Sequence, residues 1–368
     1  MSKVKLIDII ENPLSGEWGT DDDTGKGIPV LRTTNFTNEG IINYDSVVTR
    51  TIKKKNISEK YLVNGDIIIE KSGGSDKQPV GRVVYFDNEE NKFLFNNFTG
   101  LLRVKDKSKW NPRFVFYSLY YNYQIGGTQR YQNKTTGLHN LKTDQYIKDF
   151  EIKDFQIQQQ ENIVVVLDRV LQLIQLQQQE LEKLDELIKS RFVEMFGDSD
   201  YPILNWNDVF YTTTGKLDSN AMEEDGKYPF FTCAKEVSRI NTYAFDEEAL
   251  LLAGNNAAGK YDVKHYCGKF NAYQRTYVLT LKQDWSYVLF QHQLEDKLEY
   301  LQNQSLGGLT KYLTLKILGE LEFIVPPVEI QSIFADFVAQ IEKQKETVKK
   351  SLEKLETLKK SLMQEYFG

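Results

Sequence analysis

The chain has 368 residues, 40% of them hydrophobic, 12% aromatic and 27% charged, a balance that supports two or three domains with substantial cores and excludes a disordered polymer. A formal net charge of −6 disfavours a free-standing nucleic-acid binder, whose phosphate contacts leave a basic footprint. No stretch approaches the roughly 20 apolar residues of a membrane span, the opening MSKVKLIDII lacks a signal-peptide core, and two cysteines, Cys233 and Cys267, make no disulfide framework, so a cytoplasmic protein is expected.

The first element group reads as strands. VLRTTNF (Val30 to Phe36), GDIIIEKSGG (Gly65 to Gly74), GRVVYFD (Gly81 to Asp87) and NKFLFNNF (Asn91 to Phe98) place β-branched and aromatic residues between Gly and Asn punctuation. Basic charge is concentrated here: Arg50 to Arg82 carries Arg50, Lys53, Lys54, Lys55, Lys60, Lys71, Lys77 and Arg82 against Glu59, Asp66, Glu70 and Asp76, and five more basic residues lie between Arg103 and Arg113. Such runs are commonly solvated faces, so they support DNA binding only modestly. NPRF (Asn111 to Phe114) is similar to the NPP(Y/F) motif of adenine methyltransferases but lacks the second proline, and no glycine-rich cofactor loop accompanies it.

Between Ile157 and Phe196 there is neither Pro nor Gly, and apolar residues recur at steps of four and three: Ile163, Leu167, Val170, Ile174, then Leu181, Leu184 and Ile188, with Gln177, Arg191 and Met195 completing a heptad seam. The spacing predicts a helix of about 40 residues, roughly 60 Å long. The glutamines Gln156, Gln158, Gln159, Gln160 and Gln177 to Gln179 are expected on its surface. A second strand-rich segment follows, with PFFTCAKEV, EALLLAGNN, KYDVKHYCG and AYQRTYVLTL in the order of the first, so that Ile28 to Thr34 answers Tyr228 to Ala234 and Gly65 to Gly74 answers Glu248 to Asn256. Pro326 and Pro327 then open a second long helix to the chain end.

That helix repeats the first. Shifted by 171 positions, the distance from Gly197 to Gly368, LEKLDELIKSRFVEMFG lies on LEKLETLKKSLMQEYFG with ten of seventeen residues identical. Leu138 falls on Leu309, Thr143 on Thr314, Glu151 on Glu322 and Gln160 on Gln331 at the same offset. The seam continues as Phe334, Val338, Ile341, Lys345, Val348, Leu352, Leu355, Lys359, Leu362 and Tyr366. Two matching seams with a globular segment between them favour an intramolecular antiparallel pair, although a dimerising coiled coil has the same pattern. The expected organisation is α+β with an internal pseudo-two-fold repeat: strand-rich domains at 1–152 and 198–324, and helices at 153–197 and 325–368.

No complete catalytic motif is present. GNNAAGK (Gly254 to Lys260) fits the glycine-lysine frame of a phosphate loop, but Tyr261 stands where magnesium binding needs Ser or Thr, and a strand pattern follows instead of a helix. Cys233, His265 and Cys267 lack a fourth metal donor at a sensible spacing, and His139, His265 and His292 form no visible triad. Recognition chemistry is better represented. KSGGSDKQPVGR and GGTQRYQNKTTG in the first domain, and AGNNAAGKY and NAYQRTY in the second, join glycines to side chains that contact phosphates and base edges. The candidate DNA-binding residues are Lys71, Ser72, Lys77, Gln78, Arg82, Gln129, Arg130 and Lys134, then Lys235, Asn255, Asn256, Lys260, Tyr273, Gln274, Arg275 and Lys311.

Taken together, VPPVEIQSIF (Val325 to Phe334), GDIIIEKSGG, EALLLAGNNAAGKYD followed by GKFNAYQRTYVL, the openings VKLIDII and WNDVF, and the duplicated helix closely resemble the specificity subunit of type I restriction-modification systems. The first helix departs from that pattern, being entered through KDFQIQQQ without the proline pair. The resemblance implies two target-recognition domains held apart by an antiparallel coiled coil, each reading half of a split, asymmetric site in double-stranded DNA. It also implies a non-catalytic chain that docks two adenine-N6 methyltransferase subunits, with restriction or translocase subunits joining them. S-adenosylmethionine and ATP with magnesium then belong to the partners, and this chain carries no cofactor. A coiled-coil adaptor without DNA specificity and a phosphate-loop NTPase are the alternatives. Salt-dependent DNA binding separates the first from this reading, and nucleotide binding through Lys260 separates the second.

Overall fold

A computed structural model describes residues 2–54, 57–89, 92–135, 138–257 and 259–368, with the side chains of Lys134 and Thr135 also outside the described set. Met1, Lys55, Asn91, Thr136, Gly137 and Ala258, which fall in stretches singled out above, lie outside the described residues. Contacts divide the chain into two units, residues 1–177 with 351–368, and residues 178–350.

The first unit is built around Asp66–Glu70, whose five residues are all buried. It lies antiparallel between Thr99–Leu102 and Val83–Phe86, with Leu14–Ser15 at one edge. Strand alternation sends Ile67, Ile69, Val83 and Leu102 toward a core shared with Phe114, Tyr117 and Leu119, and Ile68, Val84, Phe86 and Leu101 toward a second core with Leu31, Phe36 and Phe95. Burial on both faces explains why Ile67, Ile68 and Ile69 form an unbroken apolar run rather than an alternating one. Asn111 caps the helix Pro112–Gln124 by accepting from the N–H groups of Arg113 (2.9 Å) and Phe114 (3.2 Å), so NPRF is a helix start with proline at its first position.

The second unit repeats this plan. A six-stranded sheet runs Phe210–Thr214, Thr276–Leu281, Phe245–Ala253, Val263–Ala272, Tyr228–Phe231, Ser238–Ile240. Leu250, Leu252 and Leu279 face Phe290 and Leu294 of the helix Tyr287–Asp296, while Ala249, Leu251 and Val278 face Phe231 and Phe270. The positional matches are topological as well. Ile28–Leu31 pairs parallel with Leu94–Phe95 as Tyr228–Phe231 does with Val263–Ala272. Lys3–Lys5 pairs with Glu151–Lys153 ahead of the first long helix, and Ile203–Asn205 with Glu322–Ile324 ahead of the second.

The two long helices are Ile157–Phe196 and Val328–Phe367, 40 residues each. Every seam position named above is buried or half-buried. Within the second unit the helix segments run antiparallel: Asp185 pairs with Lys345 at 2.6 Å, and eleven residues further along the first helix Phe196 meets Phe334, eleven residues back along the other. In the first unit Ile163 and Leu167 share a core with Met363, and Phe114 packs on Phe367. The glutamine expectation needs one correction, because Gln160 is fully buried, as is its repeat Gln331, and both carboxamides are hydrogen-bonded to backbone groups at Nε2 and Oε1.

His292 lies between the rings of Phe192 (4.8 Å) and Phe334 (5.5 Å), and its Nε2 has no hydrogen-bond partner among the described residues. Burial holds its pKa below the ordinary value of 6.5, with Lys189 adding to and Asp296 opposing the shift. The unfolded chain therefore takes up the proton first as pH falls through 6.5, and the second unit loses stability below that point. Melting curves at pH 7.5 and 5.5 should show a larger loss for the native chain than for His292→Phe. Equal losses would assign the pH dependence elsewhere.

Candidate nucleic-acid interface

In the first unit the central strand runs on through Lys71 into Ser72–Gly74, which pairs with Leu138–Leu141, itself paired with Gln132–Thr135. Ser72 donates its hydroxyl proton to Oδ1 of Asn140 at 2.5 Å. The loop that follows exposes Lys77 and Gln78 and is closed by the Ser75 N–H donating to the Gln78 carbonyl. Gly81, at φ +104°, lies so close to Thr128 that a Cβ would stand 2.7 Å from its side chain, and the Thr128 hydroxyl donates to the Val80 carbonyl. That contact sets the turn carrying Gln129 and Arg130 beside the Lys77 loop, with the Arg130 guanidinium 4.8 Å from the Tyr131 ring. Asn38, which sequence reading did not select, joins this surface by accepting from Gln78 (3.4 Å). Only contact across 40 residues identifies it.

Two candidates behave differently. Lys71 is half-buried and donates to Ser15 Oγ (2.9 Å); burial lowers its pKa and Lys60 adds to the effect. Arg82 is corrected from a DNA contact to a structural residue: it is 8% exposed, pairs with both oxygens of Glu70 (2.9 and 3.1 Å) and donates to the carbonyls of Phe36 and Thr33. Lys134 lies on the strand Gln132–Thr135 with its side chain outside the described set. The wider basic surplus is likewise spent internally. Arg50 pairs with Asp21 and covers Trp18, Lys54 and Lys60 share Glu17, Arg103 holds the buried Asp66, and Arg113 pairs with Asp168.

In the second unit four segments hang on one set of contacts. The Cys233 thiol donates to the Arg275 carbonyl (3.4 Å), which also accepts the Gly254 N–H (2.8 Å), while the Gly254 carbonyl accepts from Leu313 (2.9 Å). A Cβ on Gly254 would lie 2.4 Å from the Arg275 oxygen, so the junction requires glycine. Asn255–Asn256 pairs with Lys311–Tyr312, and Gly259, at φ +66°, packs against Lys311. The Gln274 N–H donates to the Leu217 carbonyl, and its side chain reaches Asp218 (3.4 Å). The Lys264 ammonium fixes the loop of Lys235 by donating to the Ala234 carbonyl (3.0 Å). Lys235, Lys260, Gln274 and Arg275 are exposed; Asn255, Asn256, Tyr273 and Lys311 are half-buried. Lys77, Lys235, Lys260 and Arg275 form no ion pair among the described residues.

The glycine-lysine frame weighed above as a phosphate loop has a different setting. GNNAAGK connects two strands, Phe245–Ala253 and Val263–Ala272, and no helix N-terminus follows it. His265 is engaged by Glu248 (2.7 Å) and stacks on Tyr287, and no group of three or more metal-ligating side chains occurs among the described residues. None of their helices is long and apolar enough to cross a membrane.

A family model described as the type I restriction modification DNA specificity domain matches residues 2–186 and 199–357. The type I restriction enzyme EcoDI specificity subunit of Escherichia coli is 36% identical over 168 residues, covering 45% of this chain and 36% of that protein. The chain thus aligns with little more than a third of that relative's length. Among solved structures, the type I restriction-modification system S subunit from M. genitalium superposes with a TM-score of 0.61 at 16% identity, covering 100% of this chain and 96% of the other. A chain from a structure of complex assembly and conformational transition of the type I R-M system gives 0.55 at 12% identity, with 100% and 97% coverage. These two likenesses establish the fold.

Proposed function

The chain belongs to the type I restriction modification DNA specificity family, and from that membership we propose that its two units are the separate readers of a split, asymmetric site in double-stranded DNA. One observation carries the reading: the units are built on a similar strand plan yet present different exposed side chains on their loops, Lys77, Gln78 and Arg130 in one and Lys260, Gln274 and Arg275 in the other. Similar scaffolds with unequal loops suit two half-sites of unequal sequence. Amides and guanidinium groups are the side chains that pair bidentately with adenine and guanine in the major groove.

The chain brings no chemistry of its own in this proposal. Two adenine-N6 methyltransferase subunits, binding S-adenosylmethionine, dock on it in the cytoplasm, and restriction or translocase subunits using ATP and magnesium join them. The acidic net charge suits a chain whose partners supply part of the phosphate-binding surface. A coiled-coil adaptor would account for the helices and leave the exposed amide and basic loops without a role.

The test uses the chain assembled with its methyltransferase subunit and maps methylated sites genome-wide. Gln274→Ala with Arg275→Ala should relax the bases read in one half-site, and Lys77→Ala with Gln78→Ala those in the other. Each lost base contact should cost about 1 to 3 kcal/mol, whereas a lost phosphate contact weakens all sequences alike. Both pairs disturbing the two half-sites equally would refute the two-reader model.

A further inference from the structure

We propose that Tyr277 is a positioning residue for base recognition, clamping together the two loops of the second unit that carry Lys260 and Lys311, a role that rests on the DNA-reading function above. Tyr277 lies on the strand Thr276–Leu281, two residues after Arg275, and packs against the core of Leu252 and Leu279. Its ring covers Gly254, where a Cβ would stand 3.0 Å from Cε2. Its hydroxyl donates to the Leu313 carbonyl at 3.0 Å, and the Leu313 N–H donates to the Gly254 carbonyl at 2.9 Å. One side chain therefore holds the start of one loop against the end of the other.

The first unit solves the same problem without it. Strand register puts Gly100 where Tyr277 stands, because Gly100 pairs with Ser15 and Ile69 as Tyr277 pairs with Thr214 and Leu252. Glycine offers nothing to the returning chain, but there Leu138–Leu141 is the middle of three strands and Asn140 accepts from the Ser72 hydroxyl. In the second unit the chain returns through Lys311–Tyr312, a strand of two residues paired with Asn255–Asn256. So short a two-stranded ladder is marginal in water by itself. The Tyr277 clamp then decides how firmly Asn255, Asn256 and Lys311 are held.

What the clamp fixes contributes little to folding. Residues 254–260 and 302–312 supply no buried hydrophobic side chain among the described residues, whereas Tyr261 and Leu313, just beyond them, belong to the core. Ordering such loops costs conformational entropy, and the return is geometric. Gly254 also donates its N–H to the Arg275 carbonyl (2.8 Å), so Lys260 and Lys311 are referred to the same point as Gln274 and Arg275. Base edges are read by side chains set at hydrogen-bond distance, and loosening this junction should cost discrimination before it costs the fold.

The test uses Tyr277→Phe, which keeps the ring and removes the hydroxyl, in the chain assembled with its methyltransferase subunit. Discrimination between bases should fall about tenfold in the half-site read by the second unit, the worth of one hydrogen bond, and stay native in the other. By hydrogen exchange the Leu313 amide should lose protection while the Val278 and Leu279 amides, inside the six-stranded sheet, keep theirs. Native base preference at both half-sites, with or without a change at Leu313, overturns the proposal. So does methylation that weakens evenly at every site with its preferences intact, the result of a merely structural tyrosine. Gln274→Ala with Arg275→Ala is the control. If that pair relaxes neither half-site, the DNA-reading function itself fails and the role of Tyr277 falls with it.

Discussion

Arg82→Ala is expected to destabilise the first unit by about 3 to 5 kcal/mol, because it leaves the Glu70 carboxylate buried without its partner. Glu70 is 2% exposed, and both of its oxygens accept from the Arg82 guanidinium. The same guanidinium ties down the carbonyls of Phe36 and Thr33, so three chain segments lose an anchor at once. Burial already pushes the Glu70 carboxyl up, and Arg82 is what opposes it. Without Arg82 the folded variant keeps Glu70 protonated to higher pH than the unfolded chain does, so its stability is greatest below the ordinary 4.5 and falls as pH rises through the elevated value. Urea unfolding at pH 5 and pH 8 measures this directly, with the larger deficit against the native chain expected at pH 8. Lys77→Ala, five positions away on an exposed loop, should stay within about 0.5 kcal/mol of the native chain at either pH. An Arg82→Ala chain as stable as Lys77→Ala would return Arg82 to the list of DNA contacts.

The contrast between those two residues marks where sequence reading succeeds. Periodicity is a property of one segment, so the two long helices and their seams were legible down to Lys345, a charged residue at a seam position that the Asp185 and Glu342 carboxylates neutralise. The repeat carried the strand correspondence as well, because a buried central strand needs an apolar run wherever it occurs, as at Asp66–Glu70 and Phe245–Ala253. Side-chain direction is different in kind. Lys77 and Arg82 lie in the same glycine-rich string, and nothing local says that one faces water while the other meets Glu70 from twelve residues away. Composition misled in the same way, since Arg50, Lys54, Lys60 and Arg82 of the basic run are paired with Asp21, Glu17 and Glu70. The glutamines show the converse, for a polar residue at a helix start reads as surface until its partners are known. The one clue was that Gln160 and Gln331 fall at the same repeat offset, which surface residues have little reason to do.

Those two glutamines should be the most costly polar residues to replace on the helices, and in a fixed order. Each is the fourth residue of its helix, and its Nε2 donates to the carbonyl five residues back, Phe155 for Gln160 and Pro326 for Gln331, both at 2.8 Å. Each Oε1 accepts the backbone N–H of a helix-capping residue in its own unit, Asn111 at 2.9 Å and Ser286 at 2.8 Å. That N–H precedes the helix and has no partner within it. Gln160 also donates to the Lys109 carbonyl at 3.0 Å. Methionine has nearly the same volume and no amide, so Gln331→Met removes the partner of two backbone groups, and Gln160→Met that of three. At about 1 to 3 kcal/mol for each orphaned group, Gln331→Met should cost about 2 to 6 kcal/mol and Gln160→Met about 1 to 3 kcal/mol more. The two share no partner and sit in different units, so the double variant should show their sum. Hydrogen exchange gives a local readout that overall stability does not: the Ser286 amide should lose protection in Gln331→Met while the Asn111 amide keeps it, and the reverse in Gln160→Met. Unchanged protection at both amides, or variants within about 0.5 kcal/mol of the native chain, would mean that water replaces the carboxamide and that the glutamines do not clamp each helix to its domain.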